Sequence, residues 1–180
     1  DEAKAMSVSW ESREKQLIRF EITANQLDSG TLLDAGCGLG GLADYLKEKK
    51  PEISYFGIDI FTPFIAHCHA KGLRTRTENL FKLSEAYDYI VALGTFNLNG
   101  GIENGIKHLL PLCRKKLIVN ALHSTYKKSD KLLTSDPEKI TQSLIEWAND
   151  ERILPSSFYE KSDIIYDKRL PIDFFLVISK

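Results

Sequence analysis

Between Leu32 and Gly41 a short apolar run ends at the acid Asp34 and passes at once into Ala35-Gly36-Cys37-Gly38-Leu39-Gly40-Gly41. A buried strand, a glycine-rich loop and the helical stretch 42–50 in succession leave few folds open. Glycines without Cβ let the backbone turn tightly and approach a ligand, and the first amides of the following helix face the same place. The segment predicts a cradle for a nucleotide-like cofactor. Gly36, Gly38 and Gly41 satisfy a GxGxxG spacing, while Gly36, Gly38 and Gly40 satisfy GxGxG. Spacing alone leaves the cofactor open.

The alternation begun there continues along the chain. Leu17, Ile18, Ile22 and Leu27 recur at roughly helical spacing after Ser9, which is expected to cap an amphipathic leader helix ending near Asp28. Strands are expected at 31–34, 53–59, 74–77, 87–93 and 116–121. Helices are expected at 42–50, from Thr62 as cap with Pro63 at the first position up to Gly72, at 102–112, and after Asp136-Pro137. The tail offers two strand-like runs, 158–166 and 173–179, with no helix between them. Such a pattern predicts an α/β fold, a doubly wound and mostly parallel sheet with helices on both faces, a C-terminal antiparallel hairpin, and ligands at the strand C-terminal ends. Residues 1–30 read as a leader packing on the core and residues 31–180 as one domain, residues 1–5 being set apart from the fold.

Composition narrows the function classes. At 180 residues and 43% apolar content the chain can build one sizeable core, and 24 basic against 25 acidic residues give no field that would draw it to nucleic acid or an anionic membrane. No apolar run nears the roughly 20 residues that span a bilayer. Cys37, Cys68 and Cys113 are odd in number and form no CxxC pair, which points to reduced thiols in a cytoplasmic setting. His67-Cys68-His69 looks like a metal cluster, but helical residues two apart point to different faces, so no metal site is expected.

The acids separate the cofactors. Asp34, two residues before the first glycine, would repel a pyrophosphate and favour a cationic ligand. Asp59, at the end of the second strand, lies 23 residues past Gly36, where a carboxylate accepts both hydroxyls of a ribose.

Leu33-Asp34-Ala35-Gly36-Cys37-Gly38-Leu39-Gly40, Phe56-Gly57-Ile58-Asp59-Ile60, Tyr87-Asp88-Tyr89-Ile90-Val91-Ala92-Leu93-Gly94 and the terminal hairpin together resemble a class I (Rossmann-like) S-adenosylmethionine-dependent methyltransferase. The resemblance spans about residues 31–180, and Trp10-Glu11-Ser12-Arg13-Glu14 with Arg19-Phe20 looks like the leader helix of small bacterial members. It implies seven strands, the last inserted antiparallel. Gly36, Cys37, Gly38 and Gly40 would pass under the methionine and ribose of S-adenosylmethionine, with S-adenosylhomocysteine as product. Asp34 would favour the ammonium end and Asp59 the ribose, Ile60 would lie against adenine, and Asn79 with Leu80 would stand near the adenine edge. Leu93 and Gly94 would face the reacting methyl, and Trp10 and Arg19 would close over the cofactor, Arg19 pairing its carboxylate.

The sulfonium already carries the activation for transfer, so the protein has mainly to align a nucleophile and exclude water. If a base assists, Asn97, His123 and Tyr126 stand where it belongs. The segment Leu93-Gly94-Thr95-Phe96-Asn97 lacks the Asn-Pro-Pro-Tyr-like motif of base-amino methyltransferases, which favours a small-molecule acceptor. Lys127, Lys128 and Lys131 keep RNA or another anionic substrate as an alternative. A non-catalytic S-adenosylmethionine-binding subunit and an NAD-dependent oxidoreductase are the others; Asp34 and the absence of room for a second domain count against the last. The residues do not identify the acceptor or the oligomeric state.

Overall fold

The structure, a computed structural model, describes residues 12–99, 101–125, 134–151 and 162–180, with side chains described at all of these except 98, 99 and 148–151. In chain order the elements are α1 Arg13–Ala24, β1 Gly30–Ala35, α2 Gly41–Lys49, β2 Ile53–Asp59, α3 Thr62–Ala70, β3 Thr75–Thr77, β4 Tyr87–Leu93, α4 Phe96–Asn99, α5 Ile102–Leu109, β5 Cys113–Leu122, α6 Pro137–Glu151, β6 Ser162–Ile165 and β7 Asp173–Ser179. Single 3-10 turns occupy Leu80–Lys82 and Leu110–Leu112.

The seven strands form one sheet in the order β3-β2-β1-β4-β5-β7-β6. The first five are parallel, and β7 enters antiparallel between β5 and β6. Central strands are apolar on both sides because both faces are covered. Alternation along each strand sorts the core into two clusters. Leu33, Ala35, Ile90, Ala92, Val119 and Phe174 pack with Ile102, Ile106, Ile140 and Leu144 of α5 and α6. Leu32, Val91, Ile118, Phe175 and Val177 face the other way, with Phe20 and Ile22 of α1 and Leu42 and Leu46 of α2. The leader helix is thus part of the core of that second face.

The expected seven-stranded, mostly parallel sheet with its terminal hairpin is present, and β2, β4 and β7 have the bounds read from the sequence. β1, α2 and β5 differ from the expected bounds by up to three residues at an end, β5 beginning at Cys113 rather than Lys116, and four further local features differ. The leader helix starts at Arg13 with Ser12 as cap, its Oγ accepting from the Lys15 N–H at 3.2 Å; Ser9 lies outside the described residues. Thr62 is the first helical residue of α3 rather than its cap, because the Asp59 carboxylate already accepts the Phe61 N–H at 2.9 Å and starts the turn one residue earlier. The 102–112 helix splits at Pro111, which has no N–H to continue the α ladder, into α5 and a 3-10 turn. The short α4 carries no sequence signal of its own, four residues being too few to show a helical period.

Candidate cofactor and acceptor site

The glycine loop leaves the C-terminal end of β1 through a tight turn whose two first amides, of Gly36 and Cys37, both donate to the Ile58 carbonyl at 2.8 and 2.9 Å. Gly36, Gly38 and Gly40 all have positive φ, at 90°, 53° and 73°. A side chain at Gly36 has no room in any case, since a Cβ there would lie 2.5 Å from Thr95 Oγ1. That hydroxyl donates to the Ala35 carbonyl at 2.6 Å, tying the loop after β4 to the end of β1. Gly40 caps α2 without a side-chain acceptor, so the first-turn amides of α2 are left for a ligand.

Asp59 closes the cradle from β2. One carboxylate oxygen accepts the Gly38 N–H at 2.9 Å and the other the Phe61 N–H. Each oxygen retains a lone pair for an incoming hydroxyl. Beyond it Ile60 and Phe61 are exposed at 63% and 52%, an apolar wall without a described cover. Asn79 caps the 3-10 turn, its Oδ1 accepting the Phe81 N–H at 3.0 Å, and Leu80 packs back on the core.

Asp34 sits below the loop, 3% exposed, on the face covered by α1 and α2. Its one hydrogen bond among the described residues comes from the Tyr55 hydroxyl at 2.8 Å, and no described cation pairs with it. Burial pushes its carboxyl from the ordinary 3.8 up to about 7, the Tyr55 hydroxyl pulling the other way and the charge of Asp59 adding to the rise. The residues therefore fit a ligand with a ribose at Asp59 and a cation within reach of Asp34. Cys37 is packed rather than presented: a hydrogen bond to Cys68 and burial hold its thiol well above the ordinary range.

The other end of the same sheet face carries a second polar cluster. Arg19 of α1 donates through Nε and one Nη to both carboxylate oxygens of Asp173, at 2.8 and 2.7 Å, with side chains only 4% and 1% exposed. Asn120 of β5, fully buried, gives its Nδ2 to Asp173 Oδ1 and to the Phe174 carbonyl, both at 3.0 Å. Arg169, in the β6–β7 connection, reaches Glu21 of α1 at 3.1 Å. The hairpin thereby fastens the leader helix, and Phe20 and Gln16 of that helix lie over Gly41 at the start of α2. Asn120 and Asp173 were not singled out in the sequence, although an amide inside Leu117-Ile118-Val119-Asn120-Ala121-Leu122 is a signal of its own.

Leu93 and Gly94 end β4 beside the loop, the Gly94 N–H donating to the Asn120 carbonyl at 3.0 Å. Asn97 Oδ1 accepts the Leu122 N–H at 3.1 Å, which joins α4 to the end of β5. His123 lies on the opposite sheet face from Asp34 and Asn120, its ring against Tyr166 and Phe174 and its Nδ1 in contact with Thr125 Oγ1 at 3.0 Å. Trp10, Tyr126 and the lysines at 127, 128 and 131 lie outside the described residues. No group of three or more His, Cys, Asp or Glu converges as metal ligands among the described residues, and His69 instead contacts the Thr75 carbonyl at 2.8 Å.

Residues 33–116 match a family model described as "Methyltransferase domain". No curated protein matches the chain. Among solved structures, magnesium protoporphyrin IX methyltransferase from Synechocystis PCC 6803 with bound SAH is 16% identical at a TM-score of 0.67, over 92% of this chain and 81% of that one. The plantazolicin methyltransferase BpumL in complex with SAH is 14% identical at 0.59, over 90% and 80%. TehB from Haemophilus influenzae is 14% identical at 0.64, over 90% and 61%. The glycine loop, both acids and the Tyr87–Leu93 strand lie inside the segment that matches the methyltransferase domain model, and the fold of the chain is that of these methyltransferase structures.

Proposed function

We propose that this chain transfers the methyl group of S-adenosylmethionine to a small-molecule acceptor and releases S-adenosylhomocysteine. The observation that carries this reading is the pair of acids around the glycine loop, Asp59 open to ribose hydroxyls and Asp34 buried with no cation among the described residues. Asp34 serves the ammonium end; the backbone of Gly36, Cys37, Gly38 and Gly40 lines the methionine and ribose; Ile60 and Phe61 with Asn79 and Leu80 frame the adenine. Bound there, the cofactor supplies a methyl activated on a sulfonium centre. The chain contributes alignment and exclusion of water at Leu93 and Gly94, beside Asn120 of β5. Asn97, already engaged with the Leu122 N–H, acts by position, and His123 and Tyr126 remain the candidate bases.

No helix among the described residues is long and apolar enough to cross a membrane, and the three cysteines are free thiols, which supports a reducing, cytoplasmic site of action. Calorimetry tests the reading. S-adenosylhomocysteine binds and NAD(H) does not, and Asp59→Ala weakens binding by roughly ten- to hundredfold, the value of one charge-assisted hydrogen bond. Binding of NAD(H) in place of S-adenosylhomocysteine would reject it.

A further inference from the structure

We propose that the carboxamide oxygen of Asn120 is a docking point for the nucleophilic group of the methyl acceptor, and that this group carries a proton, as an amine or a hydroxyl does. The proposal rests on the methyltransferase reading given above. Asn120 is fully buried on the sheet face that also carries Asp34 and is the direct register partner of Leu93 of β4. Its Nδ2 is bound on two sides by groups that can only accept, the Asp173 carboxylate and the Phe174 carbonyl. That fixes which end of the amide is nitrogen and which is oxygen. Both acceptors belong to β7, so the oxygen, on the far side of the planar amide, is turned from β7 toward the end of β4. There the Asn120 main-chain carbonyl holds the Gly94 N–H, beside the segment that faces the reacting methyl.

Oδ1 itself has no hydrogen-bond donor among the described residues. A buried carbonyl oxygen is rarely left so, and one aimed at a reacting centre is suited to receive a donor from the substrate. The neighbouring residues restrict that donor. Asp173 stands against the amide and already holds Arg19 through two bonds. A carboxylate, phosphate or thioether acceptor would bring a lone pair against a lone pair. An N–H or O–H gains a bond, and holding that hydrogen directs the lone pair of the same atom elsewhere, toward the methyl. The amide takes up no proton; it positions the nucleophile.

The test uses the full chain and three calorimetric probes: S-adenosylhomocysteine, a cofactor analogue with nitrogen in place of the sulfonium and a hydroxyethyl arm in place of the methyl, and its propyl-arm counterpart. The hydroxyethyl analogue is expected to bind about tenfold more tightly than the propyl analogue, the value of one hydrogen bond. In Asn120→Ala, and in the more isosteric Asn120→Leu, that preference is expected to vanish while S-adenosylhomocysteine binds as before, which also shows that the variants fold. Asp173→Asn, which leaves Oδ1 in place, keeps the preference. Equal binding of the two arms by the native protein, persistence of the preference in both Asn120 variants, or an equal loss in Asp173→Asn overturns the proposal. Failure of S-adenosylhomocysteine to bind the native protein is a different result, which removes the methyltransferase reading and the proposal with it.

Discussion

Asp34 and Asp173 are both 3% exposed and lie on the same face of the sheet near the C-terminal ends of the parallel strands, yet among the described residues only Asp173 has a cation of its own. Asp173 has the Arg19 guanidinium in a bidentate grip and the Asn120 amide beside it. Asp34 has a single tyrosine hydroxyl. A buried carboxylate without a counter-charge takes up a proton unless a cation arrives, whereas one that is paired fixes whatever carries the cation. In the proposed function the first serves a cationic ligand, while the second fastens the leader helix. What separates them is the partner, since residue type and burial are the same.

Breaking the fastening should have the largest effect. Asp173→Ala removes both bonds that the buried carboxylate makes to the Arg19 guanidinium and is expected to cost about 3–5 kcal/mol, read as a loss of denaturation free energy in urea. A smaller loss would mean that the helix is held mainly by Phe20 and Ile22. Asp34→Asn should act in the opposite sense on the free protein. It removes a carboxyl that is costly to ionise, so the ligand-free protein gains stability at pH 8, while affinity for S-adenosylhomocysteine falls by roughly ten- to hundredfold.

Asp34 also sets a pH dependence whose sign can be worked out. Its folded pKa, about 7, stands above the ordinary 3.8, so between those values the folded state holds a proton that the unfolded state has released. Its contribution to stability is accordingly full below pH 4, declines as pH rises toward 7, and is lost above that. Ligand binding runs the other way. A cationic ligand needs the ionised carboxylate, so affinity rises with pH by up to about tenfold per unit and levels off above 7. Asp34→Asn should flatten both curves, measured by thermal denaturation and calorimetry between pH 5 and 9. The smallest effect is expected from Tyr55→Phe. Losing its hydroxyl costs about 1 kcal/mol at most and moves the midpoint upward, since the Tyr55 bond lowers the Asp34 pKa.

The fold was legible because its signals are local. The apolar run that ends at an acid stops where β2 stops, Tyr87–Leu93 is one strand whose apolar pattern only Asp88 interrupts, and the glycine loop lies where tight turns and close approach require it. Asp34 and Asp59 could be chosen by offset from the glycines alone. Arg19 could be named, but its contact could not, since Asp173 stands 154 positions away and no periodicity links the two. The sequence placed His123 at the right strand end, but a residue beyond the strand carries no sign of which face it will take. Asn120 was missed because attention to apolar runs passes over the one polar side chain that interrupts them.

The insertion of β7 between β5 and β6 also has a kinetic side. Its seven residues supply the antiparallel partner for both flanking strands and the carboxylate on which the leader helix docks. Contacts so distant along the chain form late, because the loop they close must first lose its freedom. During synthesis α1 precedes β7 by more than 140 residues, so the Asp173 carboxylate reaches Arg19 only when almost the whole sheet exists. Completion of the hairpin and closure of the leader helix over the binding edge are then one event, and a chain arrested before β7 would hold the glycine loop without the helix that covers it.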